Sequence, residues 1–484
     1  MANNKKINPN PLTGKLSGIE SANNSQKWWI LLAIGIGTFM SALDTSIVNT
    51  VLPVIRSDFN TDLATIQWVV TIYLLFVSGF LLSIGRLGDL RGHKKIYLFG
   101  FMVFVFSSAL CGLAASATSL IVFRAVQAFG AAMLAANSPA ILTGNFPAIQ
   151  RGQALGLQAT MTYLGLTVAP SFGGWLTDMI SWRAVFYINI PVGLTALWLS
   201  WRFIPEDGEH RSKERFDIFG SLLFIFGLLA LLLGLNRGHL WGWLSIPILA
   251  TMTIAAFLLS MFYSLQKKHE SPLVDLSLFF SRIFSGAVVS AFLNYICIFS
   301  IMFLLPFYLL QGRELSPTQA GLILTAQPII MAIVAPISGT LSDRIGTRIP
   351  SVLGMMLLSL GLFLISQLDQ TSPISSIVLA LVVTGFGTGT FISPNNSALM
   401  GSAPRHRQGI AAGILATARS LGMVIGVGLF GAIFSTLLNR YQVNYPEQAF
   451  FIAIQTSFAV SAIIALLGAL IAAISGKAKV NNSA

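Results

Sequence analysis

One acidic side chain, that of Asp44, lies well inside a long apolar stretch, whereas the other Asp and Glu residues among the 17 fall in polar segments or at the ends of apolar ones. An ionised group is costly in hydrocarbon surroundings, and such groups in membrane spans usually have a function. A carboxylate there favours its protonated form unless a cation lies near it. We therefore predict that Asp44 takes up and releases a proton. The alternative is a hydrogen-bonding role that clamps helices together.

Two arginines also lie inside apolar stretches. Arg124 is the predicted counterion of Asp44, because the two residues lie at similar depths. Arg124 lies about 8 Å, and Asp44 about 12 Å, from the external end of its apolar stretch. The alternative is a permanent structural salt bridge. Arg419 lies about 15 Å into its own stretch, which is too deep for its head group to reach water easily. It either leaves a positive charge in a cavity, which would disfavour dications, or is satisfied between helices.

The composition indicates that a bilayer surrounds most of the chain. Of 484 residues, 55% are hydrophobic and 10% are charged, and the mean hydropathy is +0.77. A soluble fold could not bury this much apolar surface. Apolar windows of about 20 residues predict an all-α integral membrane protein with fourteen spans. The predicted spans are 28–52, 64–84, 96–115, 119–143, 152–176, 184–201, 218–235, 244–265, 283–310, 319–342, 349–368, 374–400, 409–436 and 448–474.

The net charge of +12 follows from membrane topology rather than from nucleic-acid binding. Most of the 29 Lys and Arg residues lie in the termini and in every second loop. The positive-inside rule then places both termini in the cytoplasm. We expect a multi-pass protein of the bacterial inner membrane with no nucleic-acid partner. The alternate loops hold only Arg56, Arg183, Arg237, Arg313 and Arg440.

Two loops carry one pattern, which indicates an internal duplication. Residues 85–95 read GRLGDLRGHKK and residues 339–348 read GTLSDRIGTR, at a constant shift of 254 residues. Short charged loops with glycines suit tight cytoplasmic turns between spans. The shift leaves two extra spans between two six-helix halves. The predicted segments are a disordered cytoplasmic tail (1–26), an N-terminal six-helix bundle (27–204), a linker with two extra spans (205–280), a C-terminal six-helix bundle (281–475) and a second tail (476–484).

Both loops resemble the signature GxLaDrxGrk of the major facilitator superfamily. Residues 43–53 (LDTSIVNTVLP), 67–75 (QWVVTIYLL) and 181–193 (SWRAVFYINIPVG) look like the fourteen-span drug:proton antiporters of the EmrB/QacA type. This resemblance implies the major facilitator fold, alternating access at the interface between two halves, and transport driven by a proton gradient without a cofactor.

The resemblance also assigns residues to roles. The first loop departs from the family pattern, because Leu90 follows Asp89 and the basic residue comes one place later. Residues 124–132 (RAVQAFGAA) resemble the RxxQGxGaa motif of helix 4, and part of helix 5 resembles the antiporter motif GxxxGPxxGG. The gating-loop residues are Gly85, Asp89, Arg91, Gly92, Lys94, Asp343 and Arg344. The antiporter-motif residues are Gly165, Ala169, Pro170, Gly173 and Gly174.

Candidate substrate contacts form a mostly apolar and aromatic set with a few amides, as in broad-specificity pockets. Many of these side chains could instead face lipid or other helices. The candidates are Asn294, Tyr295, Phe299, Gln327, Phe386, Phe391, Asn395 and Arg419.

The leading interpretation is a proton-coupled exporter of amphipathic small molecules, with a periplasmic adaptor left open. A dedicated exporter of an endogenous lipid or metabolite is an alternative. A membrane enzyme is disfavoured because clustered nucleophiles are lacking, and no metal site is expected because Cys111 and Cys297 lie in separate spans. A transport-dead sensor or scaffold would be expected to carry a soluble domain. No GxxxxGK[ST] loop for nucleotide binding occurs.

Overall fold

The computed structural model describes residues 11–147, 150–206, 218–268, 276–404, 408–442 and 448–475. Within these ranges the secondary structure is helical and contains no strand. A 3-10 turn, Leu276–Phe280, precedes α10, and a π turn, Tyr308–Gly312, follows it. The helices are α1 (Pro11–Asp58), α2 (Leu63–Arg91), α3 (His93–Gly112), α4 (Ala117–Asn145), α5 (Arg151–Met179), α6 (Ala184–Tyr187), α7 (Asn189–Phe203), α8 (Ile218–Trp241), α9 (Ile246–Lys268), α10 (Arg282–Phe307), α11 (Pro317–Leu324), α12 (Ala326–Ile345), α13 (Arg348–Ser366), α14 (Ile374–Ser402), α15 (Gln408–Gln442) and α16 (Ala449–Ile474).

The helices run back and forth between two ends of the molecule. We call the end that holds the duplicated loops the loop end, and the end that holds the turns after α1 and α10 the far end. At the far end, polar side chains begin the helices: Asp62 accepts a hydrogen bond from the backbone N–H of Thr65, and Ser116 and Ser316 each form a capping box. These caps satisfy backbone donors that the first helical turn leaves unpaired.

The protein is a multi-pass membrane protein. Twelve helices among the described residues are long and apolar enough to cross a bilayer. Large apolar side chains such as Phe106, Phe257 and Ile337 are exposed along them, as expected where lipid covers the surface. The predicted count of fourteen is therefore not reached. Two of the twelve combine a pair of helices, α6 with α7 (Ala184–Phe203) and α11 with α12 (Pro317–Ser342). The two helices that are not counted are α5, which polar residues interrupt, and α8, which contains the shorter apolar stretch Leu222–Leu235.

Although polar residues interrupt α5, it packs beside α1 over a long distance. Gly35 of α1 faces Met161, and Gly173 of α5 faces Ile47, so the two helices run in the same direction. Helix α5 therefore extends through the same layer as α1. Its polar side chains are tolerated because neighbouring helices cover part of its surface.

Two of the predicted segments differ from the structure or fall outside it. Helix α1 begins at Pro11, so most of the predicted disordered tail, from residue 11 to residue 26, is helical. Proline is favoured in a first helical turn, and adding residues to an existing helix is easier than starting one. Residues 1–10 and the predicted tail 476–484 lie outside the described residues. Helices α8 and α9 pack on each other, and α8 also contacts α2 and α15.

The duplication seen in the sequence has a structural counterpart at the loop end. Gly92 separates α2 from α3 with φ of 95°, and Gly346 separates α12 from α13 with φ of 86°. Residues with side chains rarely adopt this backbone conformation, so glycine is required at both turns. The two glycines are 254 positions apart, which is the shift of the sequence repeat.

Candidate functional site

Asp44 and Arg124 lie in contact inside the first half of the molecule. The Nη1 atom of Arg124 is 2.6 Å from Oδ2 of Asp44, and the two side chains are 1% and 0% exposed. Two further groups donate to Oδ1 of Asp44, the amide Nδ2 of Asn189 at 2.8 Å and the amide Nε2 of Gln127 at 3.1 Å. The carboxylate thus joins α1, α4 and α7.

Arg124 has partners other than Asp44. Its Nη1 atom also donates to Oε1 of Gln127 at 2.6 Å, and its Nε atom donates to the backbone carbonyl of Val69 at 3.2 Å. The guanidinium carbon is 4.0 Å from the centroid of the Tyr73 ring, a cation–π distance. Arg124 therefore keeps acceptors on α2 and α4 if Asp44 withdraws.

The Asp44 carboxylate accepts every hydrogen bond that the described residues make with it. Each of its three partners, Arg124, Gln127 and Asn189, donates a hydrogen bond to it. A protonated carboxyl group would bring its own O–H against these donors. Protonation would therefore require the partners to reorient or the helices to part. Asp44 therefore lies where α1, α4 and α7 meet, and its hydrogen bonds hold these helices together.

The predicted antiporter motif forms two tight helix contacts. Its first part lies against α1, where a Cβ atom on Gly165 would come within 2.6 Å of the carbonyl oxygen of Phe39. Its last residue lies against α11, where a Cβ atom on Gly174 would come within 2.1 Å of the carbonyl oxygen of Pro317. Small residues let helix backbones approach this closely. Ala169, between these contacts, is fully buried.

The contact between α5 and α11 joins the two halves at the far end, and we call it the first seam. A Cβ atom on Gly321 of α11 would come within 2.1 Å of the carbonyl oxygen of Pro170. The hydroxyls of Ser171 and Thr325 are 2.5 Å apart. Asp178, near the end of α5, accepts hydrogen bonds from the backbone N–H and the hydroxyl of Thr318 in the first turn of α11. A carboxylate at a helix N-terminus is a favourable electrostatic contact.

A second seam, between α2 and α15, mirrors the first. Gln67 of α2 donates to the backbone carbonyl of Val427 of α15 at 2.8 Å, and Gly431 lies against the Gln67 side chain. Gln67 and Gly321 are 254 positions apart in the sequence, so they are repeat-related. The first seam brings helix backbones together at glycines, in addition to its side-chain hydrogen bonds, whereas the second joins a side-chain amide to a backbone carbonyl.

Near the loop end, three glycines face open space. A Cβ atom added to Gly144, Gly156 or Gly401 would meet nothing within 4 Å. These glycines lie near the loop-end termini of α4, α5 and α14. The two seams therefore hold the halves together at the far end, whereas these three positions near the loop end face open space.

The gating-loop residues lie at the loop end. Gly85 is in α2 and Gly92 ends that helix, and the side chains of Arg91 and Arg344 are exposed. Lys94 is in the first turn of α3 and is half-buried. The side chains of Asp89 and Asp343 lie outside the described residues, so their predicted gating role remains a prediction.

The candidate substrate residues fall into different surroundings. Asn294 donates to Sδ of Met355 at 3.4 Å, and Asn395 donates to the carbonyl of Ala287 at 3.0 Å, so both amides join helices within the second half. Gln327 is buried in α12, Phe299 and Phe391 are buried in α10 and α14, and Phe386 is exposed.

Tyr295 and Arg419 lie together and are both partly exposed. The guanidinium carbon of Arg419 is 5.7 Å from the centroid of the Tyr295 ring, and Nη2 of Arg419 donates to Oδ1 of Asn396 at 2.6 Å. The Nε atom of Arg419 is buried without a hydrogen-bond partner. Among the predicted substrate contacts, Tyr295 and Arg419 form the pair that combines a positive charge with partly exposed side chains.

The sequence interpretation missed the amides that hold Asp44. Gln127 is the Q of the RxxQ pattern, and Asn189 lies in the stretch 181–193. Neutral amides carry no charge that would make them conspicuous in an apolar span. Their presence in two quoted family patterns was the available signal.

Comparison with known proteins identifies the family. The family model of the Major Facilitator Superfamily matches residues 34–290 and again residues 287–481. The chain belongs to the Major Facilitator Superfamily. It is a membrane transporter, and the two successive matches agree with the internal duplication.

Individual relatives include transporters of different cargo. The chain is 35% identical over 448 residues to the riboflavin transporter RibZ of Clostridioides difficile (strain 630), covering 92% of this chain and 97% of RibZ. It is 32% identical over 420 residues to the multidrug resistance protein Stp of Mycobacterium tuberculosis (strain CDC 1551 / Oshkosh), covering 87% of this chain and 78% of Stp. A crystal structure of a bacterial homolog to the human lysosomal transporter Spinster, in an inward-facing and unoccupied conformation, has a TM-score of 0.67 at 17% identity, over 93% of this chain and 97% of the other. That likeness supports the fold alone.

Proposed function

We propose that this transporter is a proton-coupled exporter of amphipathic small molecules that works by alternating access. The observation that carries the proposal is the Asp44 centre: a fully buried carboxylate held by Arg124 and two amides. Multidrug resistance proteins among the relatives support amphipathic cargo.

The coupling step follows from the alternative partners of Arg124. In its ionised form, Asp44 ties α1 to α4 and α7 through these hydrogen bonds. When Asp44 takes up a proton, it loses most of its attraction to Arg124, which stays bound to the Gln127 amide and the Val69 carbonyl. The helices are then free to change their packing. Proton uptake thereby biases the equilibrium between the two cavity openings.

We also propose the orientation and the branch. The positive-inside rule places the loop end and both termini in the cytoplasm, so we infer that the two seams close the outer side and that the substrate path opens inward. Counting α5 and α8 as spans gives the fourteen-span arrangement of the EmrB/QacA type, because both extend between the ends that the other spans join. Helices α8 and α9 then form the two extra spans, and α8 covers the second seam.

A second candidate function is transport of riboflavin. The relationship to RibZ favours it, because 35% identity extends over almost the whole length of both proteins. Riboflavin has a planar ring system with two carbonyl groups, which suits a site with arginine and tyrosine side chains. Under this candidate the cargo is one metabolite rather than a range of compounds.

Flux into proteoliposomes under an imposed pH gradient tests the proposal. We expect wild-type protein to move several chemically distinct amphiphiles only when the gradient is present. Asp44→Asn should abolish gradient-driven flux, because the amide keeps the size of the carboxyl group but cannot carry a proton. The matched control is Asp58→Asn, the same change at an exposed position of the same helix, which should transport like wild type.

Two outcomes would contradict the proposal. Gradient-driven flux by Asp44→Asn at the wild-type rate would exclude coupling through this residue. Flux of riboflavin alone, with none of the other amphiphiles moved, would replace broad export by the second candidate.

A further inference from the structure

The middle of the molecule contains a cluster of polar side chains contributed by both halves. Tyr163 of α5 lies within electrostatic reach of Tyr295 of α10 and Arg419 of α15. By helical rise, these residues lie about 18 Å, about 20 Å and about 17 Å from the loop-end termini of their helices. They therefore share one depth, near the middle of the layer. Transporters with internal repeats usually bind substrate at this depth, at the interface between repeats.

The cluster has unused hydrogen-bonding capacity. Nη2 of Arg419 is held by Asn396, but Nε of Arg419 is buried and has no partner. Within the part of the chain that the structure describes, no hydrogen bond joins the hydroxyl of Tyr163 or Tyr295 to another residue. An unsatisfied buried donor is costly, so it marks a place where a ligand atom gains a contact.

The charge of the cluster favours a ligand of negative charge. Arg124, the other arginine inside the spans, is compensated by Asp44. Among the described residues, no carboxylate lies within salt-bridge distance of Arg419. A positive charge in a partly dehydrated cavity repels cations and attracts anions more strongly than it would in water.

The aromatic rings of the cluster favour a flat ligand. The guanidinium of Arg419 lies over the ring of Tyr295, and α10 approaches α15 closely at Gly422, where an added Cβ atom would be 2.9 Å from Cβ of Tyr295. This close approach fixes the ring beside the guanidinium. A flat aromatic ligand can stack on the tyrosine ring while its acidic group lies against the partly exposed guanidinium of Arg419.

We propose that Arg419, Tyr295 and Tyr163 form a substrate site for aromatic compounds that carry an anionic group. The inference rests on the transport function proposed above and narrows its substrate class. Tyr163 comes from the first half, so the site is complete only while both halves approach it. Ligand binding there would contact the helix of the antiporter motif, α5, directly.

The test uses two dyes with the same fused three-ring system and opposite charge, fluorescein (anionic) and rhodamine 123 (cationic). Binding is measured by fluorescence anisotropy with the full-length protein in lipid nanodiscs and no pH gradient. We expect fluorescein to bind at least about tenfold more tightly than rhodamine 123. Arg419→Gln should weaken fluorescein binding by about 10- to 100-fold, the effect of losing a charge-assisted hydrogen bond.

Companion variants separate binding from folding. Arg419→Lys keeps the charge but loses the planar fork, and should weaken fluorescein binding by about tenfold while the protein remains folded. Tyr163→Phe should lower the affinity by about threefold through loss of one hydroxyl. The matched control is Arg440→Gln, the same change at an exposed position of the same helix, which should leave both affinities unchanged.

Fluorescein affinity in Arg419→Gln equal to that in Arg440→Gln would overturn the proposal, as would a wild-type preference for rhodamine 123. Because no gradient enters this assay, failure of proton coupling at Asp44 would leave a positive binding result standing. If fluorescein were not preferred over rhodamine 123, the flux test of proton coupling at Asp44 would still stand.

Discussion

The two halves hold their deeply placed charges in opposite ways. In the first half, Arg124 is fully buried, pairs with Asp44 and has further acceptors on α2 and α4. In the second half, Arg419 is partly exposed, has one amide partner and keeps an unsatisfied Nε atom. The first arrangement can change when a proton arrives, and the second when a ligand arrives. Under the two proposals made above, the duplicated fold separates proton coupling from substrate recognition.

The largest expected effect comes from removing both charges of the pair in the first half, Asp44 and Arg124. Asp44→Asn alone leaves Arg124 as an uncompensated buried charge, which costs about 3 to 5 kcal/mol. The double variant Asp44→Asn with Arg124→Gln removes both charges, so we expect its thermal stability to recover to near that of wild type. Gradient-driven flux should remain at least about 100-fold reduced, because no proton carrier is restored.

Melting temperature and proteoliposome flux, measured on the same preparations, check this expectation. A purely structural salt bridge would give a different pattern, with flux recovering together with stability in the double variant. That pattern would contradict the separation of roles.

The next effect concerns the first seam, the contact between α5 and α11. This contact must separate if the far end is to open. Gly321→Ala places a Cβ atom against the carbonyl oxygen of Pro170, and relieving such a contact typically costs about 1 to 3 kcal/mol. The far end should therefore open more often, by roughly 5- to 100-fold. Labelling of a cysteine introduced at the far end of the cavity measures this.

The control for that variant is Gly156→Ala in α5, where an added Cβ atom meets open space. It should leave far-end labelling unchanged, and alanine is a better helix former than glycine. Equal labelling of both variants would show that the first seam does not hold the far end closed.

The smallest effect compares the amide partners of the two arginines. Gln127→Ala removes an acceptor of Arg124 and a donor to Asp44 inside a closed centre, so we expect a loss of about 1 to 3 kcal/mol in unfolding free energy. Asn396→Ala should cost no more than about 0.5 to 1 kcal/mol, because the partly exposed Arg419 can be hydrated instead. Intrinsic-fluorescence melting of the purified variants distinguishes the two. Equal losses in unfolding free energy would show that the surroundings of Arg124 and Arg419 do not differ in this way.

Features carried by single conspicuous residues could be predicted from the sequence. Asp44 and Arg124 were the natural pair because each was an isolated charge at similar depth, and the structure brings them together. The glycines at the repeated turns were found because their spacing repeats. The family followed from the loop signature and is shown by the family model.

Features that depend on which way a helix faces could not be predicted. Phe391 is buried and Phe386 is exposed, although both lie in the same apolar helix. Such helices are apolar on all sides, so the periodicity that reveals a buried face in soluble proteins is absent. Tyr163 was missed for the same reason, because nothing in the sequence shows that it faces Arg419. The helical start of α1 at Pro11 was missed because its polar composition resembles that of a disordered tail.

The most direct measurement of the central claim is proton release or uptake on ligand binding. Purified protein in weakly buffered detergent solution is mixed with a transported amphiphile, and a pH-sensitive dye reports protons exchanged per bound ligand. The account predicts a clear proton exchange for wild type and for Asp58→Asn, and none for Asp44→Asn, although the ligand still binds. Equal proton exchange by Asp44→Asn and wild type would contradict it.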